Sequence, residues 1–261
     1  MTPFAPPLDA EALRAMYPER DGKPMSDNMT QARWIHLLFG NLCALLANRE
    51  DAFVASDNLW YPVEGRPDER LAPDVYVVFG RPKGDRGSYM QWLEDDVPIA
   101  VVFEILSPRN TKEEMIAKFD FYDHYGVEEY YIYDPATNKL SIYTRGQASL
   151  RLHRAIRTFT SPRLGIRFEM TRPEMTVYGP DGEPFLSHEE DRQLKRAAQI
   201  EAKESKRQAD EARRQQADET KRADSANQRA ARFAALARKA LRGQATPEEV
   251  AELERLEDQP L

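Results

Sequence analysis

The sequence has one cysteine, no long apolar run and no excess of basic residues. A lone Cys43 forbids an internal disulfide; it sits in the apolar run 42–46 and reads as a small buried hydrophobe in a reducing compartment. No apolar stretch approaches the ~20 residues of a membrane span. The opening MTPFAPPLDAEALRAM has neither the basic start nor the apolar core of a secretion signal. The expectation is a cytoplasmic protein with no membrane partner. Lys plus Arg is 37 against 44 Asp plus Glu, a net charge of −7. That excludes a histone-like DNA binder and a polybasic membrane-surface protein. His36, His124, His153 and His188 show no metal-ligand spacing, and neither a glycine-rich phosphate loop nor a nucleophile triad is present.

The residues that are there fall unevenly. Of 25 aromatic residues, 24 precede Ser187, so only the first 186 residues can build a large core. That stretch holds 28 acids and 21 bases and carries the whole net charge, whereas the remaining 75 residues hold 16 of each. Four regions follow. Residues 1–27 contain five prolines and read as an extended arm with one short helix around 10–16. Residues 28–186 form the main domain. Asp27 or Asn28 can cap a helix with Trp34, Leu37, Leu38, Leu42, Leu45 and Leu46 at spacings of three and four. Strand-like runs follow at 52–62, 73–79 (PDVYVVF), 98–106 (PIAVVFEIL) and 129–133 (EYYIY), with further strands at 139–144, 150–158 and 164–170. A helix over 111–125, ended by Gly126, joins the third and fourth runs as a crossover between parallel neighbours. The fold class is α/β, a mixed central sheet flanked by helices.

Residues 187–242 read as one long charged helix: between 187 and 232, 22 of 46 residues are charged and 10 are alanine. A heptad reading puts small residues from Ala198 to Ala240 on one seam, so the chain could pair as a coiled-coil homodimer. A solvated single helix held by ion pairs is the other reading. Residues 243–261 form a short terminal helix, opened by Thr246-Pro247, and a tail.

Two acids and a lysine stand where apolar residues belong. Glu104 lies inside VVFEIL on the strand face of Val102 and Leu106, and a carboxylate there costs several kcal/mol unless paired or bound to a metal. Asp74 opens the neighbouring strand, where it could reach the same spot or serve as a turn residue. Two carboxylates on adjacent strands suit Mg²⁺. Lys118 projects from the sheet-facing arc of the helix 111–125; it either meets those carboxylates or snorkels to solvent. For Glu104 the structural alternative is a buried ion pair.

The strings PDVYVV, VVFEILSP and NTKEEMIAKFDFYDHYGVEEYYIYDP resemble the Uma-type restriction-endonuclease family of the PD-(D/E)XK nuclease superfamily, over residues 28–145. The resemblance implies a restriction-endonuclease-like core and a Mg²⁺-dependent endonuclease acting on DNA, with Mn²⁺ as a substitute. Asp74 resembles the metal-binding aspartate and Glu104 the second acidic ligand. The superfamily lysine two positions on is here Leu106, and the Uma-type lysine from the following helix is Lys118. Four residues before it the family often has aspartate; here it is Glu114. The backbone carbonyl of Ile105 would complete the ion's ligands. Tyr122 and Ser107 are supporting candidates, Tyr122 as a hydrogen-bonding or packed tyrosine and Ser107 as the cap of the next helix or a phosphate contact. Arg66, Arg70, Arg81, Lys83, Arg86, Arg109 and Lys112 are the phosphate-contact candidates in loops near the presumed cleft. A nuclease fold without turnover, assembling through the C-terminal helix, is the alternative function.

Overall fold

The computed structural model describes residues 10–19, 22, 26–154 and 157–257. Most of the N-terminal arm, residues 1–9, 20, 21 and 23–25, lies outside them. The chain divides into two compact units, Met1–Asp191 and Arg192–Leu261.

The first unit opens with helix α1 (Ala10–Met16) and helix α2 (Met29–Leu45). Asn28 caps α2 by accepting the Gln31 N–H at 2.9 Å. The three-and-four spacing does what it predicts: Trp34, Leu38, Leu42 and Leu46 are buried against the sheet, each contributing about 1.5–3 kcal/mol of transfer free energy. The strands are β1 (Ala52–Ala55), β2 (Trp60–Tyr61), β3 (Val75–Phe79), β4 (Tyr89–Met90) and β5 (Val101–Ile105). Helix α3 (Lys112–His124) follows, then β6 (Glu129–Asp134), β7 (Lys139–Arg145), β8 (Leu150–His153), β9 (Thr158–Thr160), β10 (Arg167–Glu169) and β11 (Thr176–Tyr178).

Six strands form the central sheet in the order β1-β3-β5-β6-β7-β8. β5 and β6 pair in parallel, joined by α3, while the other neighbours are antiparallel. Side chains alternate between two cores. Val75, Val77, Val101, Phe103 and Ile105 face α2 and the small sheet β11-β10-β9. Tyr76, Val78, Val102 and Tyr130 face α3.

Two expected strands are broken in the structure. The run 52–62 becomes β1 and β2 because Asp57 sits at φ 50°, a left-handed turn that no strand continues through. β2 instead pairs in parallel with β4, beside Tyr17 and Leu59. The run 150–158 divides between β8 of the large sheet and β9 of the small one.

Helix α4 (His188–Leu241) spans 54 residues, and helix α5 (Pro247–Glu257) follows it. Within the second unit Arg232 pairs with Glu252 at 2.8 Å and Lys239 with Glu249 at 2.6 Å. Leu236 is the buried side chain of α4. Thr246 caps α5 by accepting the Glu249 N–H at 3.2 Å.

Candidate functional site

β3 and β5 run antiparallel with Val75 opposite Phe103. One further step in that register sets Asp74 opposite Glu104, and directly opposed residues share a face. That face is the α3 side, by the alternation that places Tyr76 and Val102 there. Asp74 Oδ2 accepts the backbone N–H of Ile105 at 2.7 Å, which ties the two strand ends together. Burial, reinforced by the nearby Glu104 carboxylate, pushes the Asp74 carboxyl up to about 8, against the opposing pull of the Ile105 N–H and Lys118.

Glu104 is 3% exposed. α3 brings two donors to it from successive turns. Lys118 Nζ donates to Oε2 at 2.7 Å and the Tyr122 hydroxyl donates to Oε1 at 2.6 Å. The helix is placed by Thr111, which caps it by accepting the Glu114 N–H at 3.1 Å, and by Gly126 at φ 87° just beyond its end. Burial works against the Lys118 charge, but the attraction and hydrogen bond of Glu104 outweigh it and leave the ammonium above its usual value. Burial and Glu104 together push the Tyr122 hydroxyl far up, so it remains a donor. Tyr122 is thus a packed core ring and a hydrogen-bonding member of the site at once. Lys118 does not snorkel away; its partner is the strand carboxylate.

A residue that sequence reasoning missed completes the rear of the site. Gln31, in the first turn of α2, donates from Nε2 to the Ile105 carbonyl at 2.9 Å and accepts the Asp27 N–H at 2.7 Å. The one available signal was a glutamine in an otherwise apolar helix stripe, and an uncharged side chain at a helix start is easily read as solvated. Ser107 does not cap α3. Its hydroxyl donates to Asp27 Oδ2 at 2.5 Å and accepts the Arg109 N–H at 3.2 Å; the loop is too long for it to reach the helix N-terminus, where Thr111 stands. Glu114 accepts from Asn110 Nδ2 at 3.3 Å.

Several of these residues, Asp27, Gln31, Asp74, Arg109, Glu114 and Lys118, line a cleft of about 690 Å³. Of the basic candidates, Arg109 lines it and pairs with Asp27 at 3.1 Å. Arg66 is paired with Asp68 and Glu69, Arg81 with Glu94 and Asp95, and Arg86 with Glu94. Arg70 donates to the Pro67 carbonyl. Lys83 donates to the carbonyls of Leu46 and Ala47 at the end of α2. Lys83 and Arg86 line a different cavity of about 540 Å³, together with Cys43, which is half-buried. Those loop cations are therefore bound up in holding loops, and Lys83 and Arg86 do not face the cleft. Lys112 is exposed at the start of α3.

The donor set suits a hard divalent cation. The Lys118 ammonium bonds Glu104, while Asp74 is raised by its burial and by the Glu104 carboxylate. Among the described residues no group of three or more His, Cys, Asp or Glu converges. Asp74, Glu104 and the Ile105 carbonyl are the oxygen atoms that could hold such an ion, a set that would suit Mg²⁺.

Residues 16–177 match the model of the Uma2 family, described as "Putative restriction endonuclease". The chain belongs to that family. The Uma2 match takes in Gln31, Asp74, Glu104 and Lys118 and ends before α4. It is the family that the strings around Asp74, Glu104 and Lys118 resemble. No curated protein matches the chain at a significant level. Among solved structures, the chain is similar to one titled a putative nuclease belonging to DUF820 from Anabaena variabilis ATCC 29413. The two are 13% identical with a TM-score of 0.40, over 55% of this chain and 77% of that one. No helix among the described residues is long and apolar enough to cross a membrane.

Proposed function

We propose that this protein is a Mg²⁺-dependent endonuclease that hydrolyses DNA phosphodiester bonds, with Mn²⁺ able to replace Mg²⁺. The observation that carries the reading is Asp74 opposed to Glu104 at the end of paired strands, with the Lys118 ammonium 2.7 Å from Glu104. Asp74, Glu104 and the Ile105 carbonyl would hold the ion, which supplies positive charge to the scissile phosphate and acidifies water beside it.

The chain's own residues do the rest. Lys118 is held protonated by Glu104, so it acts as a fixed positive charge that orients water and stabilises the pentavalent phosphorus, not as a base. Tyr122 and Lys118 fix the Glu104 carboxylate from both oxygens, and the Ile105 N–H fixes Asp74. Gln31 holds the Ile105 carbonyl in place from α2. Arg109, which lines the cleft, and Lys112, exposed at the start of α3, would meet DNA phosphates. The deciding experiment incubates the purified full chain with single- and double-stranded DNA and Mg²⁺ or Mn²⁺. Cutting that disappears in both Asp74→Ala and Glu104→Ala supports the reading, and cutting that survives either change ends it.

One observation favours a second reading. Both Glu104 oxygens already accept hydrogen bonds, as in a purely structural buried network. In that case the fold binds or assembles without turnover, through α4. Calorimetric titration with Mn²⁺ separates the two, because heat that vanishes in Glu104→Gln counts against a purely structural network.

A further inference from the structure

The cleft has a mixed lining: Asp27, Asn110 and Glu114 are polar, whereas Leu71, Ala72 and Phe121 are apolar. Phe121 is only half-buried and lines the cleft on the same helical face as Ala117 and Lys118. Its ring is fixed from behind. Trp60, fully buried, meets it at 5.4 Å and 90°, and Tyr125 at 4.7 Å and 59°. A packed aromatic ring left facing a polar cleft is a stacking platform whose ordering cost is already met by the fold.

We infer that the cleft takes an unpaired DNA strand, with Phe121 stacking on a base next to the scissile phosphate. This rests on the nuclease reading and names its substrate class. Three observations lead there. Lys118 and Phe121 are three residues apart on α3, so their Cβ atoms lie about 5–6 Å from each other, and a phosphate held at Lys118 leaves an adjoining base within reach of the ring. Asp74 and Lys118 line the cleft of about 690 Å³, so a phosphate that reaches them must enter it. An intact duplex keeps its bases paired inside and offers the ring nothing without unpairing. Finally, duplex affinity comes from many phosphate contacts. Among the described residues the basic ones lining the cleft are Arg109 and Lys118, each with an acidic partner, in a protein of net charge −7. Stacking replaces part of the missing electrostatic attraction.

The test uses the full chain with Mn²⁺ and three probes of one sequence: a fluorescein-labelled single strand, a duplex with a single-stranded overhang, and a relaxed closed circular duplex. Anisotropy reads binding and gel mapping reads cutting. The strand is expected to bind at least about tenfold tighter than the closed duplex, with cuts in the overhang. Phe121→Leu keeps apolar volume but removes the π face, and is expected to lose about tenfold in strand affinity while the protein still melts cooperatively, only a few degrees lower, and Mn²⁺ binding heat stays unchanged. Phe121→Trp should restore binding, with its fluorescence quenched by the strand. Equal binding and cutting of the closed duplex, or unchanged strand affinity in Phe121→Leu, overturns the inference and leaves the nuclease reading standing. Strand preference without any cutting ends the nuclease reading and, with it, the scissile phosphate of this inference, and leaves a strand-binding cleft. No binding to any probe overturns both.

Discussion

Asp74 stands across from Glu104 one step past the last paired residues of β3 and β5, so that two carboxylates share the end of one strand pair. Burial, reinforced by that proximity, has a pH signature. In the metal-free protein the Asp74 carboxyl is pushed up to about 8 from an ordinary 3.8. The folded state therefore holds this proton more tightly than the unfolded chain does. Stability falls as pH rises between those two values and levels off above the higher one. Scanning calorimetry without metal should show a melting temperature that declines from about pH 5 to about pH 8, and a flatter profile for Asp74→Asn. Added Mg²⁺ should stabilise the wild type more at the alkaline end, where no proton competes. Parallel profiles for the two proteins would refute the assignment.

Lys118→Met should destabilise the fold by about 3–5 kcal/mol, because it leaves Glu104 as a buried charge without its cation. Urea denaturation gives the number. Adding Glu104→Gln to the same chain should recover most of the loss, since no uncompensated charge then remains. If the double variant is weaker than Lys118→Met alone, the pair is not the source of the effect.

Tyr122→Phe removes a single hydroxyl and leaves the ring packing against Trp60 and Tyr130. Its hydrogen bond ends on a charged acceptor, so the cost should be about 1.5–3 kcal/mol with an unchanged denaturant slope. A loss below about 0.5 kcal/mol would mean that Glu104 finds another donor.

The long α4 helix belongs to the proposal of a homodimer. Sedimentation equilibrium of the full chain should give twice the chain mass, and a truncation after Asp191 should give one. The truncated protein should retain the thermal transition of the first unit, whose core lies wholly before that point. An identical association state for both lengths removes the helix from assembly.

Much of the site could be read in the sequence because each of its parts violates a local rule. Glu104 interrupts a run of buried apolar residues, and Lys118 interrupts the packing arc of α3; both needed partners, and each is the other's. Asn28 and Gly126 mark helix ends by chemistry confined to three or four residues, whereas the cap of α3 is Thr111 and not the expected Ser107. The illegible parts depend on distant chain. Gln31 becomes informative only once α2 lies across the end of β5, 74 residues away. The partners of Arg81 and Arg86 come from the acids after β4. β2 and β4 are two residues each, too short for any periodicity, and are held by bonds such as Tyr89 N–H to the Leu59 carbonyl at 2.7 Å.

The β5–α3–β6 crossover bears on the order of synthesis. Asp74 leaves the ribosome well before Glu104 and Lys118, and the parallel partner that fixes β5 comes later still, at Glu129–Asp134. A nascent chain thus carries its carboxylates as scattered, hydrated side chains until some 130 residues have emerged. The proposed cutting site is therefore assembled only once the scaffold that confines it is in place.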